Sequence, residues 1–360
     1  MKKSSLKNLI FYMTGQASWY FVNGLQMVLF PTILILMLGV TPSNYGLAQV
    51  SLLAPSIFLI VLGGTIADKT DTRILLAIVH FLATLPLLLI LFSIQFGFLS
   101  FEIMIIYGLA MGSISAFVIP SRDALLTTIS QGEIQRTVVL AMLTQFGFQL
   151  TGMVIGGLAD LTGVMPLIIA QGFSLIIGGY FALKLPKPSI KKESLDIRKI
   201  KNEITEAFIE VRKSKEIFPV SISMIMVGLC FMGNNLVTLP YITTERYGLG
   251  ASGFATVSTC FWLGTFFSNS ILALNKNLKN WGTALMVAMT SGVPILASLY
   301  FDMPFYGLCI IIFMWGGGAG IFIAMGRTIT QTFSKESHRG SMLSVNTLAF
   351  MTSGPIGAVI

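Results

Sequence analysis

Charge is scarce in this chain: 11% of its 360 residues are Asp, Glu, Lys or Arg, against 54% that are hydrophobic. A soluble core of this length cannot hide so much apolar surface, which excludes an ordinary soluble enzyme or nucleic-acid-binding domain. Cysteine is nearly absent too. Cys230, Cys260 and Cys309 fall inside apolar stretches, where buried small side chains are expected and neither a disulfide framework nor a metal site is. The two histidines, His80 and His338, are far apart with no ligand spacing, so no metal and no cofactor is expected. Also missing is a cluster of His, Asp, Ser or Cys near one interface, as a membrane enzyme of lipid or peptide bonds would need. The chain reads as a non-enzyme.

What is present is a series of eleven apolar stretches, at about 9–36, 45–65, 74–96, 102–121, 137–158, 164–185, 219–241, 252–274, 282–300, 305–325 and 341–360. A spanning helix needs about 20 such residues. In hydrocarbon every backbone amide must be paired, and segments this long and continuous do so as helices. The basic start, Met1 to Asn8, superficially suggests a signal peptide. The run behind it is too long, contains Trp19, Asn23 and Gln26, and lacks a small-residue cleavage site, so it reads as a retained first helix.

Taking alternate loops puts every lysine and arginine except Arg246 on one side. A single missed helix would scramble that sorting. By the positive-inside rule this side is cytoplasmic, with the N-terminus and the central loop, in a multi-pass protein of the cell membrane. The net charge of +8 follows from the topology and needs no nucleic acid. The only long polar segment, 186–218, carries Ile197, Ile200, Ile204, Phe208 and Val211 at helical spacing. It is either an amphipathic helix on the cytoplasmic leaflet or a linker whose stripe packs on the helix ends, and in both cases a domain boundary.

The second half repeats the first. Gly24 to Pro31 aligns with Gly233 to Pro240 at an offset of 209, and Tyr45 to Leu47 aligns with Tyr247 to Leu249 at 202. Pro86 matches Pro294, Arg122 matches Arg327, Arg136 matches Arg339 and Gly152 matches Gly354, all on one narrow diagonal. The expected domains are 1–185, a six-helix bundle, and 219–360, a bundle with five helices where the repeat requires six. The twelfth helix is expected to be missing because the sequence is cut short.

Polar and aromatic groups recur along the first helix at Gln16, Trp19, Tyr20, Asn23, Gln26 and Met27, on one face. Such groups are costly in hydrocarbon unless paired or facing water. The repeat sets Gln26 opposite Asn235, with Asn234 adjacent. Tyr20, Asn23, Gln26, Gln145, Gln149, Asn234, Asn235 and Trp262 are the candidate lining of a solute cavity, with Trp315 deep in the same half. Aromatics there suit large, partly apolar solutes. Hydrogen bonds that merely hold helices together remain the competing reading.

Between the second and third stretches lies Gly63 to Arg73, expected to form a short polar hairpin. Its Gly64, Asp68, Lys69 and Arg73 match the loop between helices two and three of the major facilitator superfamily, which this chain resembles. Asp71 stands where that pattern has a glycine, a habit of a branch similar to siderophore and macrolide exporters. Gly152, Gly156 and Gly157, with Met153, resemble the family's antiporter signature, in which the second residue is proline; Gly354 and Pro355 restore that pair in the second half. Ile119 to Leu126, followed by Arg136, resembles the end of the fourth helix in the exporter branch.

The resemblance implies an all-α major-facilitator fold of two pseudo-symmetric bundles, with the solute site near the midplane. It implies a secondary active transporter working by alternating access, which exports small amphipathic or drug-like molecules or siderophores, in exchange for protons. Uptake by symport and a transport-inactive protein are the alternatives. Gly63, Gly64, Asp68, Lys69, Arg73, Arg122, Arg136, Gly152, Gly156, Gly157, Gly354 and Pro355 are the implied gating elements. For coupling, Glu102 and Asp123 are the candidate carboxylates, although either suits an interfacial structural role, and His80 is a lesser candidate relay. The expected partners are a small-molecule solute, the lipid bilayer and protons; a monomer is expected.

Overall fold

A computed structural model describes residues 3–130, 134–187, 205–206, 208–274, 280–334 and 339–359. Among these the regular elements are all helical. They are α1 Lys3–Pro31, α2 Pro42–Lys69, α3 Thr72–Leu82, α4 Thr84–Gln95, α5 Phe101–Ser130, α6 Ile134–Gly156, a short α7 Ala159–Thr162 and α8 Val164–Leu183. The second half continues with α9 Ile217–Val227, α10 Gly233–Tyr241, α11 Ala251–Leu274, α12 Trp281–Ser298, α13 Phe305–Phe333 and α14 Arg339–Val359. Eight stretches among the described residues are long and apolar enough to cross a membrane. The remaining expected spans, in α6, α11 and α14, are helical.

Several boundaries differ from the sequence expectation for physical reasons. The polar hairpin expected over Gly63 to Arg73 shrinks to Thr70 and Asp71, because α2 runs on to Lys69. Loss of apolarity ends a membrane crossing; it does not end a helix. The third stretch is broken at Ala83 into α3 and α4. Pro86 lies four residues after Leu82, so its ring meets the Leu82 carbonyl and has no N–H to offer it. Of the amphipathic pattern in the central segment, Ile197, Ile200 and Ile204 lie outside the described residues. Phe208 is exposed, while Val211 is buried with Ile217, Met342 and Val345.

The chain divides into two compact units, 1–195 with 249–255, and 196–248 with 256–360. In the first, α1 packs along α6 and α8, and α2 packs along α5. The closest approaches are made by glycine. A Cβ on Gly24 would stand 2.1 Å from the Gln149 carbonyl oxygen, and one on Gly152 would stand 2.3 Å from that of Phe21. With lipid as apolar as the side chains, close backbone contact is what drives such association. Accordingly large side chains such as Phe58 (77% exposed) face outward.

In the second unit α9, α12 and α13 enclose Val220, Met224, Val227, Leu285, Ala288, Phe322, Met325 and Ile329. There α14 crosses the chain at Gly228 to Met232, where a Cβ on Gly357 would come 2.0 Å from the Leu229 carbonyl oxygen. The duplication is visible in the backbone. Pro31 is followed by a π-helical stretch, Thr32–Met37, and then by Gly39 at φ 60°; Pro240 is followed by Ile242–Arg246, also π-helical, and then by Gly248 at φ 62°. Only glycine adopts that φ without strain. Cys260 and Cys309 are partly buried, but Cys230, expected to be buried, is exposed.

Candidate functional site

One face of α1 holds the polar groups singled out in the sequence, and Gln16, Tyr20 and Met27 are hydrogen-bonded within the first unit. Gln16 donates to the Ala141 carbonyl at 2.5 Å, and Gln149 reaches the Met27 sulfur at 3.4 Å. Gln26 is buried beside Gln171 on a small cavity of about 10 Å³, also lined by Phe30, Met104 and Tyr107. That volume holds at most one water. Gln171, which carries no sequence motif, donates to the Val22 carbonyl at 3.2 Å. Tyr20, Asn23 and Met27 are only partly buried, as is Gln145 one turn before Gln149.

In the second unit a π-helical stretch, Gly228–Met232, interrupts the helix just ahead of Asn234 and Asn235. Such bulges re-aim the side chains that follow them and recur at functional sites. Asn235 is partly buried, and its amide nitrogen is enclosed without a hydrogen-bond partner. The Asn234 side chain lies outside the described residues. Trp262 is partly buried and meets Phe261 edge-on at 6.1 Å; Trp315 is buried between Phe231 and Phe261. A polar cluster missed by the sequence reading sits deeper. Ser221 donates to Asn346 Oδ1, and Asn346 Nδ2 donates to Thr330 Oγ1 at 2.6 Å.

The loop after α2 is organised by the residue that departs from the family pattern. Asp71 caps α3, accepting from the Arg73 backbone N–H at 3.2 Å, and pairs with the Arg73 guanidinium at 2.8 Å. Those hydrogen bonds from Arg73 hold the Asp71 carboxyl below its usual range. Arg73 also donates to the Leu185 carbonyl at 3.2 Å, satisfying an orphan group beyond the C-terminus of α8. Gly63 sits where α2 meets α5, since a Cβ there would be 2.3 Å from the Ala116 carbonyl oxygen. Gly64 faces Pro120 more loosely. The side chains of Asp68, Lys69, Arg136 and Pro355 lie outside the described residues.

Arg246, the one cation on the wrong side of the charge sorting, is used in the same way as Arg73. It donates to the carbonyls of Leu299 and Phe301 at 2.7 and 3.3 Å, beyond the end of α12. Asp160 has the converse task. Its carboxylate accepts from the N–H groups of Ala251 and Ser252, both at 2.8 Å, at the start of α11. Partial burial raises its pKa, but the hydrogen bonds from Ser252 and Ala251 outweigh that and hold it below the ordinary value.

Among the remaining gating and coupling candidates, Gly156 packs on Val28 and Gly157 on Ala255, while Gly354 packs on the Met232 sulfur. Glu102 is exposed in the first turn of α5. Asp123 is exposed near the other end of the same helix, and the neighbouring Arg122 is buried. His80 is buried with Nδ1 2.7 Å from the Leu76 carbonyl oxygen and its ring edge-on to Trp19. No group of three or more His, Cys, Asp and Glu among the described residues could hold a metal ion.

Comparison with known proteins agrees with this architecture. Residues 13–358 match the family described as Major Facilitator Superfamily. The chain is 23% identical over 319 residues to a staphyloferrin A transporter of Staphylococcus aureus, covering 83% of this chain and 75% of that protein. A variant of the nucleoside transporter NupG superposes with a TM-score of 0.83 at 14% identity, over 99% of this chain and 90% of that one. An inward-facing bacterial homolog of the human lysosomal transporter Spinster does so with 0.73 at 12% identity, over 100% and 82%. At these identities the structures speak for the fold alone.

Proposed function

Because the chain belongs to the Major Facilitator Superfamily, we propose that it exports small amphipathic solutes, siderophores included, across the cell membrane by alternating access. In this reading proton entry drives export. The two bundles, 1–185 and 219–360, are joined by 186–218, and the N-terminus lies in the cytoplasm. The observation that carries it is the α1 face, where Tyr20, Asn23 and Met27 stay partly open while Gln16, Gln26 and Gln149 around them are buried. Polar and aromatic groups left unpacked at mid-helix suit a solute that is itself partly apolar. The name of the staphylococcal relative supports the solute class, and Asp71 supports the exporter branch.

Export is tested in inside-out membrane vesicles energised by a pH gradient, offered a panel of fluorescent amphipathic compounds and iron-free siderophores. Gradient-dependent accumulation of at least one compound is expected, absent from vesicles lacking the protein. Accumulation only in right-side-out vesicles would replace export with uptake. If Glu102 carries the proton, Glu102→Gln abolishes gradient-driven accumulation while leaving counterflow intact; unchanged accumulation removes that residue from the coupling path.

A further inference from the structure

The first unit contains a buried cation with an unfilled donor. Arg122 is 5% exposed and lies four residues from the end of the span Phe101–Leu126. A long cationic side chain near a helix end ordinarily snorkels outward to the interface. Arg122 does the reverse. Cα–Cβ bonds lean toward a helix's own N-terminus, which for α5 is the far end of the span, so the side chain is carried inward. Its NH2 group donates to the Tyr20 hydroxyl at 2.8 Å, and its guanidinium carbon lies 4.5 Å from the centre of that ring. Tyr20 is close to the middle of the span Leu6–Met37.

The other terminal nitrogen, NH1, is buried with no hydrogen-bond partner. The groups around it are engaged elsewhere or turned away. Tyr12 gives its hydroxyl to the Arg122 backbone carbonyl at 3.3 Å. His80 is held at Leu76 through Nδ1, and its Nε2 is buried without a partner, Arg122 included. Asp123, the next residue, is turned about 100° around the helix and is exposed. Among the described residues no carboxylate makes an ion pair with Arg122. A planar guanidinium with one terminal nitrogen on a neutral phenol and the other empty is half of a fork that matches a carboxylate or phosphate oxygen pair. Tyr20, only partly buried, forms the movable cover, and its displacement would present both terminal nitrogens to the same anion.

We propose that Arg122, with Tyr20, is an oxyanion acceptor inside the first unit, and that the transported solute carries a carboxylate or phosphate group. This rests on the transport reading and narrows its solute class. The sequence resemblance implies a gating role for Arg122; a gate charge would have no use for an empty inward-facing donor.

The test uses full-length protein in detergent, with thermal unfolding followed in acetate, succinate, citrate, benzoate or inorganic phosphate, against the corresponding neutral amides at matched ionic strength. At least one oxyanion is expected to raise Tm by a few degrees in wild type, while the amides leave it unchanged. A response to phosphate alone assigns the acceptor to phosphate-bearing solutes, and a response to the organic acids assigns it to carboxylates. Arg122→Gln should lose the shift yet unfold no earlier than wild type without anion, because an unpaired buried charge has been removed. Arg122→Lys should keep a weakened response, since it retains the charge without the fork. Tyr20→Phe should lower the half-saturating anion concentration about threefold to tenfold, because the anion no longer displaces the Tyr20 hydroxyl from the guanidinium.

No shift with any oxyanion, or an equal shift in Arg122→Gln, overturns the proposal. Wild-type vesicles that accumulate a neutral amphipathic compound with no oxyanion-dependent Tm shift refute the anion site alone. An Arg122-dependent shift in a protein that moves nothing in either vesicle orientation refutes the transport reading and leaves the site standing.

Discussion

Removing the Asp160 carboxylate isolates one long-range contact from the rest of the fold. Asp160 sits just past α6 and receives two hydrogen bonds of 2.8 Å from the first turn of α11, about ninety residues later in the chain. Loss of a helix cap costs about 0.5–2 kcal/mol, and the charge at a helix N-terminus adds about 0.3–1 kcal/mol. Asp160 is exposed, so screening by water places Asp160→Ala toward the lower end, at about 1–2 kcal/mol in total. Asp160→Asn keeps an acceptor oxygen and should cost about half of that. Gly250→Ala reaches the same contact from the other side, because its Cβ would lie 2.4 Å from the Asp160 Oδ1.

The assay is thermal unfolding in detergent as a function of pH. Because the Asp160 pKa is lowered on folding, its stabilisation is complete above the unfolded carboxyl pKa of about 4 and is lost as pH falls through the lower folded value. Asp160→Ala should therefore unfold about 1–3 °C earlier than wild type at pH 7, with the gap closing in acid. A variant that matches wild type at neutral pH, or whose deficit does not shrink in acid, would refute the cap as described.

The glycine crossings make a paired prediction. Gly152→Val should abolish a monodisperse folded product in size-exclusion chromatography, because its Cβ would collide with the Phe21 carbonyl. Gly147→Ala, five residues earlier on the same helix with open space at its Cβ, should be tolerated or stabilising by about 0.5–1 kcal/mol. In the second unit, Asn346→Leu removes the amide that joins the Ser221 and Thr330 hydroxyls, leaving them only the Ile217 and Gly326 carbonyls, and thermal unfolding should show a loss of about 1–3 kcal/mol. The double variant that also replaces Ser221 by Ala should recover part of it, and a fully additive loss would deny the coupling.

The amino-acid sequence determined where the chain is helical across the bilayer and that its two halves are copies, since hydrophobicity, proline and glycine act locally. Pro31 and Pro240, each followed by a π-helical stretch and a positive-φ glycine, show local chemistry repeating itself. The break at Ala83 was readable in principle from Pro86 and was obscured by the unbroken apolarity around it. What the polar side chains do was decided by tertiary structure. Arg73 and Arg246 each serve a carbonyl beyond the end of a helix far along the chain, Asp160 caps another, and Arg122 turns inward to Tyr20. A buried polar group must find a partner, and which partner is within reach depends on how distant helices cross, a relation that no local pattern of residues contains.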